Sequence, residues 1–599
     1  MTPFIQDWFS AVAAQFPDRV AIARGPRQVR YGTLESRSNR IANALLAGGP
    51  APTVAILAAD PIVVMETILG VLKAGGVFVP LDLRHPAARL AAILDETAPD
   101  WIACDGESAA LAQTLPHKAR LLRIDTDIAA GDTRPAVAVS PDAPCYVYFS
   151  SGSTGRPKGI VGRLKAVAHF IRWERKALAI DGPIRVSQLT TPSFDAFLRD
   201  MFVPLCSGGT SCVPERREDI LDPRAFLDWL ERERIELLHC VPSLFFTLLR
   251  EDLTPGRLPD LRHILLAGEV LPPGAVDRWM AVFGERIRLV NLYGPSETTM
   301  IKFAHVVGDE DRTRRSVPIG KPIDGTAALL LDAQGRVCPP GAVGEIYIRT
   351  PYRSLGYLNQ PELTAAAFIR NPFSDAKDDL VYKTGDLART LPNGSFEFLG
   401  RADTQVKIRG VRIELSEVEE ACRRHPGIAE AAAIVRQDGE GGARLQVYVT
   451  LADKDSPPAL RDFLARILPD EMIPSAIFVL DAMPRTISGK LDRLALAGLE
   501  DAAGLDDAPY VAPRTETERR IAAIWAALLG RPRIGSDDDF FRSGGDSLLA
   551  MSAISRAATA FDIEIPLRRL FEAPTLCAFA RQVDAVRARE SAEMESGEL

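Results

Sequence analysis

The sequence predicts a multi-domain α/β protein, on its length, on an alternation of element types, and on a change of periodicity near its end. A chain of 599 residues is too long for one hydrophobic core and suggests roughly three to five domains of ~100–200 residues each. To about residue 400, short apolar strand-like runs alternate with helix-spaced patterns, as layered α/β folds require. A smaller α+β unit is expected to about residue 498, and a small all-helical bundle after it.

Taken in order, Val54-Ala55-Ile56-Leu57, Gly76-Val77-Phe78-Val79-Pro80 and Ile264-Leu265-Leu266-Ala267 read as buried strands, and Met65–Leu72 has helical spacing. Gly400–Glu414, with alternating Val406-Lys407-Ile408-Arg409, predicts a hairpin leaving the large core. In the smaller unit Glu417–Cys422 and Pro458–Leu468 read as helices and Leu445–Leu451 as a strand. Asp501–Pro513 is rich in Asp, Ala, Gly and Pro and reads as a linker. Thr515-x-x-Glu518 is a capping box opening a helix with Ile521, Ile524, Trp525, Leu528 and Leu529 on one face and Gly530 as its stop. The expected boundaries are 1–402 for the large core, 403–500 for the small unit, 501–513 for the linker, 514–590 for the bundle and 591–599 for an acidic tail.

Composition excludes several classes. The chain is 47% hydrophobic and 25% charged, ordinary for a soluble protein, and its net charge of −8 argues against a general nucleic-acid or anionic-membrane binder. Its eight cysteines show no C-x-x-C pair or Cys/His cluster, so neither a disulfide framework nor a zinc site is expected. Met1–Asp7 lacks a basic segment before an apolar run, and no stretch of about 18 apolar residues occurs, so neither a signal peptide nor a spanning helix is expected. The expected location is the cytoplasm.

The chemistry is carried first by Ser150-Ser151-Gly152-Ser153-Thr154-Gly155-Arg156-Pro157-Lys158-Gly159, which follows the strand-like Cys145–Phe149. Small hydroxyl residues and glycines let backbone N–H groups approach phosphate oxygens, and a lysine adds a point charge. It is not a Walker A loop, since Pro157 and Gly159 flank Lys158. A solvated Gly/Ser turn is the plain alternative.

Further segments follow: Leu72–Asp82 (LKAGGVFVPLD), Asn291–Thr299 (NLYGPSETT), Tyr382–Leu387 (YKTGDL), Gly400–Gly410 (GRADTQVKIRG), Pro484–Arg493 (PRTISGKLDR) and Asp539–Leu548 (DFFRSGGDSL). In this order the chain resembles the adenylation domains of non-ribosomal peptide synthetases, members of the ANL adenylate-forming superfamily, followed by a peptidyl carrier domain. The family usually has Leu where Ser543 stands. The resemblance implies an adenylate-forming N-terminal core, a small C-terminal subdomain and a four-helix carrier bundle. It implies that an amino acid is activated with ATP as aminoacyl-AMP, releasing pyrophosphate, and is then loaded as a thioester on the carrier's 4′-phosphopantetheine.

By the same resemblance Ser150, Ser151, Gly152, Ser153, Thr154, Gly155 and Lys158 cradle the phosphates, and Glu297 helps hold Mg²⁺. Tyr293 and the Ala267-Gly268-Glu269 turn sandwich the adenine. Asp386, supported by Arg401, binds the ribose hydroxyls, and Lys490 touches the substrate carboxylate and the α-phosphate. Asp403 is the hinge that exchanges Lys490 for the Arg409-Gly410 hairpin. Ser547 is the phosphopantetheine attachment site. The residues alone leave plainer readings open: Glu297 as a helix N-terminal acid, Asp386 and Arg401 as a structural ion pair, Asp403 as a turn residue, Ser547 as a helix cap. A hydrolase elbow at Ser547 fails because Leu549 replaces the required Gly and no His follows.

The implied substrate pocket is Phe194, Asp195, Ala196, Arg199, His239, Leu265, Ala267, Leu292, Met300 and Ile301, with Lys490. Asp195 would pair the α-ammonium, favouring amino acids over aryl or fatty acids. The wall is otherwise mostly aliphatic, which favours a small or medium apolar side chain such as valine. Arg199 and His239 do not fit that preference and leave serine, aspartate and, by pocket size, proline open. An acyl- or aryl-CoA ligase and a degenerate scaffold are the competing readings of the whole chain. The implied partners are a phosphopantetheinyl transferase, a downstream synthetase or tailoring enzyme, and a small MbtH-like activator, with no nucleic acid and no membrane.

Overall fold

The computed structural model describes residues 4–596 apart from 127, 153–156, 217–219, 250, 252, 377, 409, 438–442, 453–458, 486–490, 500–509, 530, 532, 542, 546, 562, 564 and 567. The chain divides into two compact units, Met1–Glu414 and Leu415–Leu599.

In the first unit the described residues form three larger sheets. One has seven strands, in the order Gly356–Tyr357, Lys158–Arg163, Pro144–Ser150, Val77–Pro80, Thr53–Leu57, Trp101–Cys104 and Arg120–Arg123. Its four neighbouring pairs from Pro144–Ser150 to Arg120–Arg123 are parallel, and helices such as Pro61–Lys73 connect them, as parallel strands require. The second sheet has nine strands, with Arg288–Tyr293, His263–Ala267, Leu237–Cys240 and Arg185–Ser187 adjacent at its centre. The third is built around Leu380–Thr390, which pairs with Val343–Arg349, Phe368–Arg370 and Phe396–Arg401.

Strand alternation fixes which side chains share a face. Leu238, Cys240, Ile264, Leu266 and Leu289 pack into one buried cluster, whereas Leu237, Leu265, Val290 and Leu292 join another. His239 lies opposite Leu265, and Ala267 opposite Leu292, so both belong to the second face. The expected hairpin is present as Gln405–Ile408 paired antiparallel with Val411–Glu414.

The second unit holds the helix Leu415–Arg423 and a sheet of Ile428–Gln437, Ala443–Leu451 and Ala476–Val479. The helix expected over Pro458–Leu468 is shorter, Leu460–Leu464 in its described part. Helices follow at Glu516–Leu529, Ser547–Phe561, Arg568–Glu572 and Leu576–Ser596. Ile521, Trp525, Leu528 and Leu529 are buried together with Phe540, Ile554 and Phe579. The capping box is half formed: Thr515 Oγ1 accepts from the Glu518 N–H at 3.0 Å, but the Glu518 carboxylate reaches Arg514 N–H at 2.7 Å and Ser536 Oγ at 3.0 Å. Gly530 and most of the expected linker lie outside the described residues. Its end, Val511, accepts a 2.7 Å hydrogen bond from Ser536 N–H.

Candidate active site

Pro144–Ser150 runs antiparallel to Lys158–Arg163 and pairs Ser150 with Lys158, so the glycine-rich loop joins two neighbouring strand ends. Ser153, Thr154 and Gly155 lie outside the described residues. Ser151, Gly152 and Lys158 are buried, and the buried Ser150 hydroxyl has no hydrogen-bond partner among the described residues. Lys158 Nζ lies 3.3 Å from Glu414 Oε1. Ser151 Oγ donates to the Arg412 carbonyl at 2.8 Å and accepts from Glu414 N–H at 3.1 Å.

Glu297 sits in the short turn Ser296–Thr298 and is fully buried. Tyr357 Oη donates to its Oε1 at 2.9 Å, and Arg412 Nη1 lies 2.8 and 2.9 Å from its two oxygens. Burial alone would raise this carboxyl, but the Arg412 guanidinium, a backbone hydrogen bond, the Tyr357 hydroxyl and the Lys158 charge together outweigh it and hold the group below the usual range. A hard carboxylate in a seat that already takes a cation fits Mg²⁺.

Asp386 stands opposite Arg401 in the antiparallel pair Leu380–Thr390 and Phe396–Arg401. Arg401 Nη1 is 2.5 Å from Asp386 Oδ1, and Tyr293 Oη donates to Asp386 Oδ2. Arg401 also forks onto Asp403 at 2.7 and 2.6 Å. The ion pair open in the sequence is therefore present, with the carboxylate between a cation and a phenol. Gly268 has φ +96°, and a side chain there would meet Gly410 at 3.5 Å. Gly410 has φ +76°, and a Cβ there would lie 2.6 Å from Val241 Cγ1, so only glycine fits this crossing. Glu269 is held by Ser243, whose N–H and Oγ donate at 2.8 and 3.1 Å. The Gln405–Glu414 hairpin, expected to leave the core, thus lies across the residues read as the nucleotide seat.

On the substrate side Asp195 is buried, and its Oδ2 accepts from Met300 N–H at 3.2 Å. Burial pushes its carboxyl up. Thr299 and Met300 have φ of +66° and +53°, left-handed conformations that are strained for a β-branched and a bulky residue. Lys302, fully buried, donates to the Thr299 and Ile301 carbonyls at 2.7 and 3.0 Å and holds this turn. Burial lowers its ammonium to about 7 against the opposing charge of Asp195.

His239 is fully buried, with Nε2 2.8 Å from Glu174 Oε1 and Nδ1 2.9 Å from Asp200 Oδ1. Burial would lower its pKa, but the Glu174 charge and the hydrogen bonds to Asp200 and Glu174 together outweigh that and raise it. Arg199 Nε is 3.4 Å from Asp200 Oδ1, and its buried Nη1 has no hydrogen-bond partner among the described residues. Leu265, Leu292, Met300 and Ile301 are buried, Ala196 and Ala267 half-buried, and Phe194 is 36% exposed.

The sequence reading missed Arg412, Glu414 and Tyr357 around the phosphate side, and Glu174, Asp200 and Lys302 around the pocket. Asp200, standing in the apolar run Phe197–Leu205, carried a usable signal; Arg412 carried none beyond its place in the hairpin. Lys490 and the hairpin residue Arg409 lie outside the described residues. Ser547 opens the helix Ser547–Phe561. A separate cleft of about 620 Å³, lined by Arg163, Lys165, Arg349, Arg353 and Asp379 among others, shares no residue with this constellation.

Residues 9–358 match the family model described as AMP-binding enzyme, 417–490 that of the AMP-binding enzyme C-terminal domain, and 519–583 that of the phosphopantetheine attachment site. The chain is 35% identical over 590 residues to the dimodular nonribosomal peptide synthase of Bacillus subtilis, covering 97% of this chain and 24% of that protein. It is 36% identical over 585 residues to gramicidin S synthase 2 of Brevibacillus brevis, covering 96% of this chain and 13% of that one. It therefore spans about a quarter or less of the length of these curated relatives. Among solved structures, holo-PA1221 is an NRPS protein containing adenylation and PCP domains, bound to a vinylsulfonamide inhibitor. It superposes with a TM-score of 0.82 at 31% identity, covering 98% of this chain and 97% of that one.

Proposed function

We infer what this chain does from one premise: it belongs to the AMP-binding enzymes, as an adenylation–peptidyl carrier didomain of nonribosomal peptide synthetase type. It is an ATP-dependent ligase that activates an amino acid and loads it on its own carrier. The substrate carboxylate attacks the α-phosphorus of ATP and the bond to pyrophosphate breaks. Asp195 accepts the α-ammonium, Asp386 and Arg401 hold the ribose, and Tyr293 and the Ala267-Gly268-Glu269 turn flank the adenine. Ser150–Gly155 and Lys158 receive the phosphates, and Lys490 meets the reacting carboxylate. Mg²⁺ at Glu297 neutralises phosphate charge. Phosphopantetheine attached at Ser547 would supply the thiol that takes the aminoacyl group, with the acyl–phosphate bond broken and AMP released.

The observation that carries this reading is the buried carboxylate of Asp195, tied to the strained Thr299–Met300 turn two residues beyond Glu297. A CoA ligase for aryl or fatty acids has no use for a buried anion at that place, and a scaffold has no use for the strain. The domain boundaries at 402 and 500, the hinge role of Asp403 and the four-helix form of the carrier belong to the same reading. So do the transferase, the downstream synthetase or tailoring enzyme, the MbtH-like activator and a cytoplasmic setting. Among the described residues, no helix is long and apolar enough to cross a membrane.

For the side chain we favour a small or medium aliphatic residue, valine-like, because Leu265, Leu292, Met300 and Ile301 make the wall and His239 is spent on Glu174 and Asp200. A second reading, aspartate, rests on the buried Arg199 Nη1, which has no hydrogen-bond partner among the described residues, since a buried donor left unmatched costs about 1–3 kcal/mol. Amino-acid-dependent ATP–pyrophosphate exchange over the proteinogenic set, salicylate and a fatty acid tests all of this. Exchange is expected with valine-like residues, discriminated by only ~1–3 kcal/mol per methylene. Aspartate as best substrate would move the specificity to Arg199, and exchange with the non-amino acids alone would refute the role of Asp195.

A further inference from the structure

We propose that Lys302 is a positioning residue for amino-acid recognition: through the peptide group joining Thr299 to Met300 it forms a relayed ion pair with Asp195 and keeps that carboxylate ionised. The inference deepens the reading of Asp195 as the partner of the α-ammonium and rests on it. Two ends of one peptide unit carry the argument. Its carbonyl, that of Thr299, accepts from Lys302 Nζ at 2.7 Å, and its N–H, that of Met300, donates to Asp195 Oδ2 at 3.2 Å. A cation at the oxygen and an anion at the hydrogen polarise the peptide in the same sense, so each bond strengthens the other. The residues on either side of it have φ of +66° and +53°, and strain of this kind persists only where the surroundings over-determine it.

The placement of charge singles out Lys302. It is fully buried, and its donors go to main-chain carbonyls, those of Thr299 and Ile301. The charge that supports its proton against burial is that of Asp195. A buried ammonium facing neutral oxygens is costly unless an anion compensates it. Around Asp195 stand also Arg199, which favours the anion but is already bonded to Asp200, and Glu297, which opposes it. The phenols of Tyr146 and Tyr148, on Pro144–Ser150, are kept protonated by burial. His169, on Leu164–Ala177, acts on Lys302 as well; burial and then the Lys302 charge lower its imidazole to about 4, so it is neutral above that.

The pH dependence of KM separates charge from structure. It is measured by ATP–pyrophosphate exchange on the full chain with L-valine or, should the second reading hold, L-aspartate. Lys302→Gln keeps a donor for the carbonyls and removes the cation. Its acid limb, where KM climbs as Asp195 gains a proton, is expected to move up by about one pH unit, since an opposite charge nearby lowers a carboxyl by about 1–3 units. On that slope the shift is about a tenfold rise in KM, with kcat changed less. A limb that stays in place, or a KM raised equally at every pH, would make Lys302 a prop of the turn and overturn the proposal. A second measurement needs no substrate. At about pH 6, below the value of about 7 at which Lys302 loses its proton, the losses in melting temperature of Asp195→Asn and Lys302→Gln should sum to more than that of the double variant. Additive losses, or a double variant that does not fold, would also overturn it. Undiminished affinity for the amino acid in Asp195→Asn would refute the ammonium reading instead, and the melting cycle would still report on the pair.

Discussion

Replacing Ser547 by alanine is expected to abolish covalent loading of the amino acid while ATP–pyrophosphate exchange continues at the wild-type rate. The two steps draw on different residues. Apart from Lys490, the groups assigned to adenylation, from Ser150 to Arg401, lie within Met1–Glu414, whereas Ser547 opens a helix in the second unit. Alanine is the better helix former, so the substitution does not weaken Ser547–Phe561 by propensity. That helix is held by buried Ala550, Ala553, Ile554 and Ala557, which the substitution leaves alone. The measurement is intact-protein mass, or acid-stable label from a radioactive amino acid, after treatment with a phosphopantetheinyl transferase. Label retained by the alanine variant would refute the attachment site. Loss of exchange together with loading would show instead that the two units are energetically coupled.

The layered α/β core, its central strands and the hairpin were legible because each is a local pattern. Val54–Leu57 and Ile264–Ala267 are apolar runs of strand length, and the Val406–Ile408 alternation has the period of a strand. The residues proposed for the nucleotide chemistry were named for the same reason, since each sits in a contiguous motif. What the sequence withheld is long-range. Glu297 and Arg412 are separated by 115 positions, Glu174 and His239 by 65, and no local period links either pair. The direction of the hairpin was withheld too: its strands follow from alternation, but its course over Gly268 depends on two glycines whose positive φ values show only in the fold. The segment expected as the Pro458–Leu468 helix is helical over Leu460–Leu464 in its described part, and Leu468 is buried beyond the helix end.

The pocket's ambiguity had a different origin. Arg199 and His239 were named from the pocket pattern, yet whether they serve the substrate or each other's neighbours depends on Glu174 and Asp200. With those two carboxylates in place, His239 is accounted for and Arg199 only in part. The charge count around the pocket now turns on Asp195 and Lys302, which leads to the other large effect.

Asp195→Ala is expected to lower kcat/KM for the amino acid by roughly 10²–10³-fold, since leaving a buried charge unpaired costs about 2–5 kcal/mol or more. The loss should fall mainly on KM, because the proposed role of Asp195 is to meet the ammonium and not the reacting carboxylate. Its sign with pH follows from burial. The carboxyl is pushed above its usual range, and only the ionised form attracts the ammonium, so affinity should be full only above that raised value. Affinity should then decline as pH falls through the raised value, above the ~3.9 of an exposed aspartate. Lys302 works in the opposite direction in the free protein, since the proton it gains as pH falls through about 7 adds a cation that favours the Asp195 anion. In Asp195→Asn the amide keeps the shape and can still meet Met300 N–H through its oxygen, so the Thr299–Met300 turn should survive. That variant should show a raised KM with no acid limb in its pH profile. An acid limb of unchanged position in Asp195→Asn would assign it to another group and remove Asp195 from ammonium recognition. A loss in kcat alone would place Asp195 behind the pocket wall, as a support for the strained turn.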